Sequence, residues 1–403
     1  MHLLTFRIVG HPAIPNSHWI HVDRGINVFR STRADQPRAL LQMLQTINPP
    51  YDIQAMDPFR DLPRFIPGPG HTRKIIPAKK TAAIAVFAAS SELVQGLATV
   101  DPLYYSADRV EFGRRRDYSR WTNFVELAGS TRWSEIEPAI SDLLSRIDKD
   151  GETAAEQLRR AAAELRGADR IRGDIEGELK ERLEALRPFL PDKALASLDG
   201  CIHAVDRAQH FREARQLAGE HLPCFFSVNA ATTDLIPKPA DPPLAAAAGL
   251  SPLSFLAGGL DNGHTGTTAI ARSLERINLS LQTGYSQLAL HCRWTEGMIA
   301  LESGKGPYAR PFPELAPVRR IEALLAAATV IHEEIRGNLP IWLIDVSELQ
   351  LEAAEQAELM QFLCRYGTRW QCLVIPDSGF LSLCMEKTTG SGKGGAPPVA
   401  LID

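Results

Sequence analysis

Residues Ile26 to Leu44, INVFRSTRADQPRALLQML, set a short strand, a loop and a helix in the frame on which phosphate-binding loops are built. Ile26 to Phe29 is the strand, and Leu40, Leu41 and Leu44 recur along one side of the helix. A working loop reads G-x-x-x-x-G-K-[ST]: the glycines let backbone N–H groups close on the phosphates, the lysine reaches the terminal phosphates and the hydroxyl holds magnesium. Laid on that spacing, Ser31 and Gln36 take the glycine places, Pro37 the lysine place and Arg38 the hydroxyl place. None of the required chemistry remains. Asp35 falls where a helix N-cap belongs, and its carboxylate would accept from the N–H groups a phosphate uses and would repel the phosphate. An ordinary strand-loop-helix without nucleotide ancestry has the same layout, so the rest of the chain must decide.

A second chemical candidate is Arg109 to Trp121, RVEFGRRRDYSRW, where five arginines stand against Glu111 and Asp117 in a chain of net charge -4. Guanidinium groups bind phosphates in a bidentate way, and Tyr118 or Trp121 offers a ring for base stacking. Arg109, Arg114, Arg115, Arg116, Arg120 and Trp121 are therefore the nucleic-acid candidates. A solvated hairpin turn, with Arg120 paired to Asp117, reads the same way.

Other catalytic patterns are missing. The histidines form no H-E-x-x-H or H-x-H, His332-Glu333-Glu334 reads as a solvated helix face, and no G-x-S-x-G elbow occurs. The segment TTGSGKGG, Thr388 to Gly395, holds a Gly-Lys pair but puts Lys387 at the first glycine place and Gly394 at the hydroxyl place, with Pro397 and Pro398 following instead of a helix. No metal site is expected.

The elements that would position these residues follow from composition and periodicity. The 403 residues are 44% hydrophobic and 23% charged, enough for two or three lobes with cores. No apolar run nears the roughly 20 residues that span a bilayer, and the N-terminus lacks a signal-peptide layout, so a cytoplasmic protein without membrane partners is expected. Six cysteines lie apart with no C-x-x-C pair, which argues for reduced, buried thiols. His2 to Val9, Trp19 to Val22, Thr81 to Ala89, Arg109 to Phe112 and Asn123 to Leu127 read as strands, and Ser90 to Ala98 as a helix. Asn48 to Lys80 is a Pro/Gly-rich excursion with little regular structure. Trp133 to Leu222 turns helical, and Gly167, Gly173, Pro188 and Pro191 break it into about three helices, too short for a long coiled-coil rod. Whether it projects as an arm or packs as a compact subdomain stays open. After a Pro/Ala/Gly-rich linker, Ile270 to Leu281 reads as a helix, Gln287 to Cys292 with Met298 to Leu301 as a hairpin, and Ile321 to Ile335 as a helix. Ile341 to Ile344 and Cys372 to Ile375, joined by an Ala354 to Tyr366 helix, form a parallel βαβ unit.

In this order the parts resemble the split ATPase heads of the SMC, Rad50 and RecF group. The resemblance covers both α/β halves in layout, and the helical part in kind only. It implies an α/β, ABC-type split P-loop head: residues 1–133 as the N-terminal half, 134–222 as a short helical arm, 223–266 as a linker, 267–380 as the C-terminal half and 381–403 as a flexible tail. Against the family's L-S-G-G-[EQ]-R signature, Leu315-Ala316-Pro317-Val318-Arg319-Arg320 matches only at its ends. The family's Walker B strand ends in Asp-Glu, where this chain has Asp345 and Val346: the acid on the metal side is present and the catalytic acid is absent. Asp377 stands at the place of the switch histidine. Charge-assisted hydrogen bonds contribute roughly 1.5 to 3 kcal/mol apiece, so losing the lysine and the loop amides weakens triphosphate binding by several powers of ten.

The expected function is accordingly a non-hydrolysing pseudo-ATPase head, a structural or regulatory subunit of a DNA-maintenance or defence complex, without a cofactor. Its expected partners are itself or an active ATPase-head relative, and DNA through Arg114 to Trp121. Two alternatives stand beside it: ATP binding or slow hydrolysis with magnesium at Asp345, and a stand-alone nucleic-acid-binding module.

Overall fold

The computed structural model describes residues 1–29, 35–50, 52–67, 73–101, 108–125, 127–228, 267–295, 298–304, 308–367, 369–389 and 399–402. The fold is mixed α/β and divides into two compact units, one made of residues 1–89, 111–121 and 221–403, the other of 90–110 and 122–220. The strands Arg109–Arg115 and Arg120–Phe124 carry the chain between the two.

The first unit is built on a parallel sheet in the order Phe225–Val228, Ile341–Asp345, Gln371–Ile375, Ile26–Phe29, Val399–Ile402. Its central strands are buried at every position, as expected of parallel strands covered on both faces. Ile341–Asp345 and Gln371–Ile375 pair in parallel register from Ile341↔Gln371 to Asp345↔Ile375, joined by the Ala353–Tyr366 helix. A capping box of Glu352 and Glu355 starts that helix. The helix Pro317–Arg336 is buried all round from Ile321 to His332, which its alanines permit by letting neighbours approach closely, and it stops at Gly337 with φ +68°. His332 is fully buried and not part of a solvated face, while Glu333 and Glu334 pair with Arg369 and Arg276.

An antiparallel sheet completes this unit: His2–His11 pairs with Thr81–Ala88, Ile14–Asn16 and Ile20–His21. Gln371 ties the two sheets together, its Oε1 accepting from the Leu3 N–H at 2.8 Å and its Nε2 donating to the Leu3 carbonyl at 2.8 Å. The 48–80 excursion is more ordered than its composition suggests, with a short helix Ile53–Met56 capped by Asp52 and a ribbon of Phe65–Pro67 against Arg73–Ile75.

The end of the chain corrects the expectation of a flexible tail over 381–403. Residues 381–389 continue the helix Ser378–Thr389, and Val399–Ile402 adds a parallel strand beside Ile26–Phe29, register Val399↔Ile26. Four residues with only Val399 and Ile402 β-branched, following a proline pair, are too short a run to read as a strand until a sheet edge is there to receive them. The linker expected over 223–266 is corrected at its start, where Phe225–Val228 is a strand of the parallel sheet; 229–266, and 390–398 with the Gly-Lys pair, lie outside the described residues.

The second unit is helical. Its core draws on Trp133, Ile140, Leu158, Leu179, Leu183, Leu198 and Val205, spread over four helices: Trp133–Ser145, Glu152–Ala162, Asp174–Leu186 and Asp192–Glu220. The additional break comes at Asp148, whose carboxylate accepts from the Gly151 N–H at 3.0 Å; a Cβ on Gly151 would come within 2.6 Å of Phe189. Ser91–Val100 joins the same unit, capped by Ser90, and Gly96 lets it approach Leu217 so closely that a Cβ would lie 2.9 Å away. All six cysteines are free thiols, and Cys364 alone is not fully buried.

Candidate functional site: a closed phosphate-loop frame

Asp345 ends its strand at the C-terminal edge of the parallel sheet, the edge where α/β folds place ligands. The loop strand Ile26–Phe29 lies two strands away, with Gln371–Ile375 between them. Two strand spacings amount to about 9.5 Å, a gap no short side chain closes. The helix Asp35–Gln45 that follows the loop packs against both Gln371–Ile375 and Ile341–Asp345, and its fourth residue, Arg38, meets Asp345: its Nε donates to Asp345 Oδ2 at 2.8 Å, its Nη2 donates to Ser347 Oγ at 3.0 Å, and Glu348 Oε1 lies 3.3 Å from Nη2. The Ser347 hydroxyl in turn donates to Asp345 Oδ1. Both carboxylate oxygens of Asp345, whose side chain is 11% exposed, therefore have protein partners.

The charges at this sheet edge are thus balanced by protein groups. A helix N-terminus carries partial positive charge and favours an anion; here Arg38 adds a cation, and Asp345 and Glu348 supply the negative charge. Pro37 is buried in the first turn, where its missing N–H costs no helix bond. Asp35 is the first residue of the helix, so the N-cap position expected of it lies one residue earlier, outside the described residues together with Ser31. Gln36 is half-buried. Val346, at the place of the catalytic acid, is 1% exposed and belongs to the apolar core.

The other positions carried over by resemblance also have internal partners. Asp377 caps Ser378–Thr389, its Oδ1 accepting from the Phe380 N–H at 2.8 Å and its Oδ2 from Gln356 Nε2 at 2.6 Å. Arg319 binds Glu322 at 2.7 Å and Glu358 at 2.6 Å. Burial pushes the Glu322 carboxyl up to about 7, with Arg319 opposing.

The arginine-rich turn makes extensive contacts inside the protein. Arg114 is 8% exposed and donates to the carbonyls of Thr46 at 2.7 Å, Ile47 at 3.0 Å and Tyr118 at 2.5 Å, closing the chain just past the C-terminal end of the 35–45 helix. Arg116 donates to the carbonyls of Pro63 at 2.5 Å and Gly10 at 3.2 Å, and Arg120 to Asn48 Oδ1 at 3.1 Å instead of pairing with Asp117. Tyr118 stacks on Phe59 at 5.5 Å between centroids and donates to Asp57, and burial with that carboxylate pushes its hydroxyl up to about 12. Trp121 donates to Thr81 Oγ1 at 3.1 Å and lies against Gly113, where a Cβ would stand 2.1 Å from the ring. The turn anchors the 48–80 excursion; Arg114 is buried on backbone carbonyls, Arg116 and Trp121 are half-buried, and Arg120 is exposed. Arg115 bonds Ser119 Oγ at 3.2 Å, and Arg109 is exposed beside Asp108.

Two features escaped the sequence reading. The partner of Asp345 was legible only as an unlike charge at the hydroxyl place of the loop. A cluster of Asp101, His203 and His210 in the helical unit joins residues too far apart in the chain to form a motif.

No protein-family model matches the sequence, and no curated protein matches it. Among solved structures the chain is similar to SMC head domains. The head with an extended coiled coil bound to the C-terminal domain of ScpA, derived from Pyrococcus furiosus, is 10% identical, with 94% of this chain and 91% of that chain covered and a TM-score of 0.40. The SMC head domain from Thermotoga maritima is 11% identical, with 95% and 92% covered and a TM-score of 0.37. The head with a coiled coil and joint from Pyrococcus yayanosii is 12% identical, with 94% and 93% covered and a TM-score of 0.41.

Proposed function

We propose that this chain is an SMC/Rad50/RecF-like pseudo-ATPase head, a split ABC-type fold whose nucleotide site is closed by its own side chains, acting as a structural or regulatory subunit. The observation that carries this reading is the Arg38–Asp345 ion pair, which joins the hydroxyl place of the loop frame to the Walker B aspartate. In an active head those two places hold one magnesium ion between them; here a guanidinium fills the role. Pro37 at the lysine place and Val346 at the place of the catalytic acid support the same reading. The partner is a second copy or an active head relative, meeting protein surface near Leu315 to Arg320, in a DNA-maintenance or defence assembly. Phosphate release from MgATP by the purified full chain tests it: the expected rate equals that of an Asp345→Asn variant, and a higher rate that this substitution abolishes overturns it. Light scattering and affinity capture from the native host test the partnership, and a monomer without a co-purifying head relative removes that part.

A further inference from the structure

We propose a zinc site in the helical unit, formed by Asp101, His203 and His210. Asp101 ends the helix Ser91–Val100, its backbone extended at φ −159° and its N–H bonded to the Leu97 carbonyl at 3.1 Å. Its side chain is 1% exposed, and a carboxylate so deep in protein is costly to hold without compensating charge or hydrogen bonds. The same oxygen, Oδ2, lies 2.9 Å from His203 Nε2 and 3.2 Å from His210 Nδ1. The two histidines are seven residues apart on Asp192–Glu220, two turns along one face, and they converge by offering different ring nitrogens. All three ligand atoms lie within 4.8 Å of one another.

That spacing suits a metal ion. Ligand atoms at 2.0 to 2.1 Å in a tetrahedral zinc site are about 3.3 Å apart, close to the separations at Oδ2. Two imidazoles and one carboxylate suit zinc better than magnesium or calcium, which take oxygen ligands, and the absence of a thiolate in the set sets it apart from soft-metal sites. Zinc binding needs a lone pair at His203 Nε2 and at His210 Nδ1, which places the ring proton on the other nitrogen, Nδ1 of His203 and Nε2 of His210. The fourth position is left to water. The ion clips the end of Ser91–Val100 to the middle of the 29-residue helix, residues more than a hundred positions apart in sequence. This site is independent of the Arg38–Asp345 frame.

The test is zinc uptake by the full chain after stripping with a chelator, read by metal analysis after dialysis and by titration calorimetry. The expected result is one equivalent of zinc and a raised melting temperature. His203→Gln and His210→Gln are each expected to weaken binding at least tenfold while the metal-free proteins melt within a few degrees of wild type, since a Gln amide still donates to Asp101. Absence of stoichiometric uptake by the wild type, or uptake unchanged in both variants, overturns the proposal and leaves a hydrogen-bonded Asp-His-His cluster.

Discussion

Arg38 Nε and Asp345 Oδ2 stand 2.8 Å apart, joining the helix Asp35–Gln45 to the end of the strand Ile341–Asp345. Each half of the pair is held by a different end of the chain. The energetic weight of this contact is measurable. Arg38 is 35% exposed, so solvent screens part of the attraction, and a double-mutant cycle between Arg38→Ala and Asp345→Ala is expected to give a coupling of about 1 to 2 kcal/mol. Additive effects of the two substitutions would show that the pair does not hold the frame closed.

Arg114 is expected to behave as a structural residue. Arg114→Ala leaves the buried carbonyls of Thr46 and Ile47 without their donors and should cost about 3 kcal/mol in urea unfolding. Arg114→Lys restores little, because a single ammonium does not reproduce the guanidinium fork. A variant of wild-type stability that instead loses affinity for DNA, with a shallower salt dependence, would return this turn to the role of a nucleic-acid surface.

The order of the parts was legible, and so were most elements, because buried parallel strands and an Ala-rich helix leave dense apolar runs. Two things were hidden for physical reasons. The partners of Arg114 and Arg116 are backbone carbonyls, which carry no side-chain signature, so their charge looked like an offer to an external phosphate. The closing strand Val399–Ile402 gains its stability from pairing with Ile26–Phe29, which no local property of four residues announces. The departures from the loop and strand-end patterns were readable at Pro37 and Val346, but that Arg38 meets Asp345 required knowing that a single strand, Gln371–Ile375, separates the loop strand from that of Asp345.

Two titrations on the helix Pro317–Arg336 oppose each other with pH. Burial lowers His332 to about 4, and its Nδ1–H donates to the Asn338 carbonyl at 2.9 Å. The histidine is depressed below its ordinary 6.5, so its contribution is present above pH 6.5 and is lost as pH falls toward 4, about 3 kcal/mol in all. Glu322 is raised from 4.5 to about 7, so its contribution is present below pH 4.5 and is lost as pH rises through 7, again about 3 kcal/mol at most. The wild-type curve should therefore hide both. His332→Gln is expected to remove the loss on the acid side and Glu322→Gln the loss toward neutral pH, each read as the stability difference from wild type between pH 4 and 8. Differences that stay constant over that range would place both groups at ordinary pKa values.

The central claim, that the nucleotide site is closed by protein, is tested most directly by titrating the full chain with ATP and magnesium in a calorimeter. The expected result is no saturable binding up to millimolar nucleotide, for the wild type and for Asp345→Asn alike. Micromolar binding by the wild type that disappears in Asp345→Asn would contradict it, because the aspartate would then be serving a metal-bound nucleotide in place of Arg38.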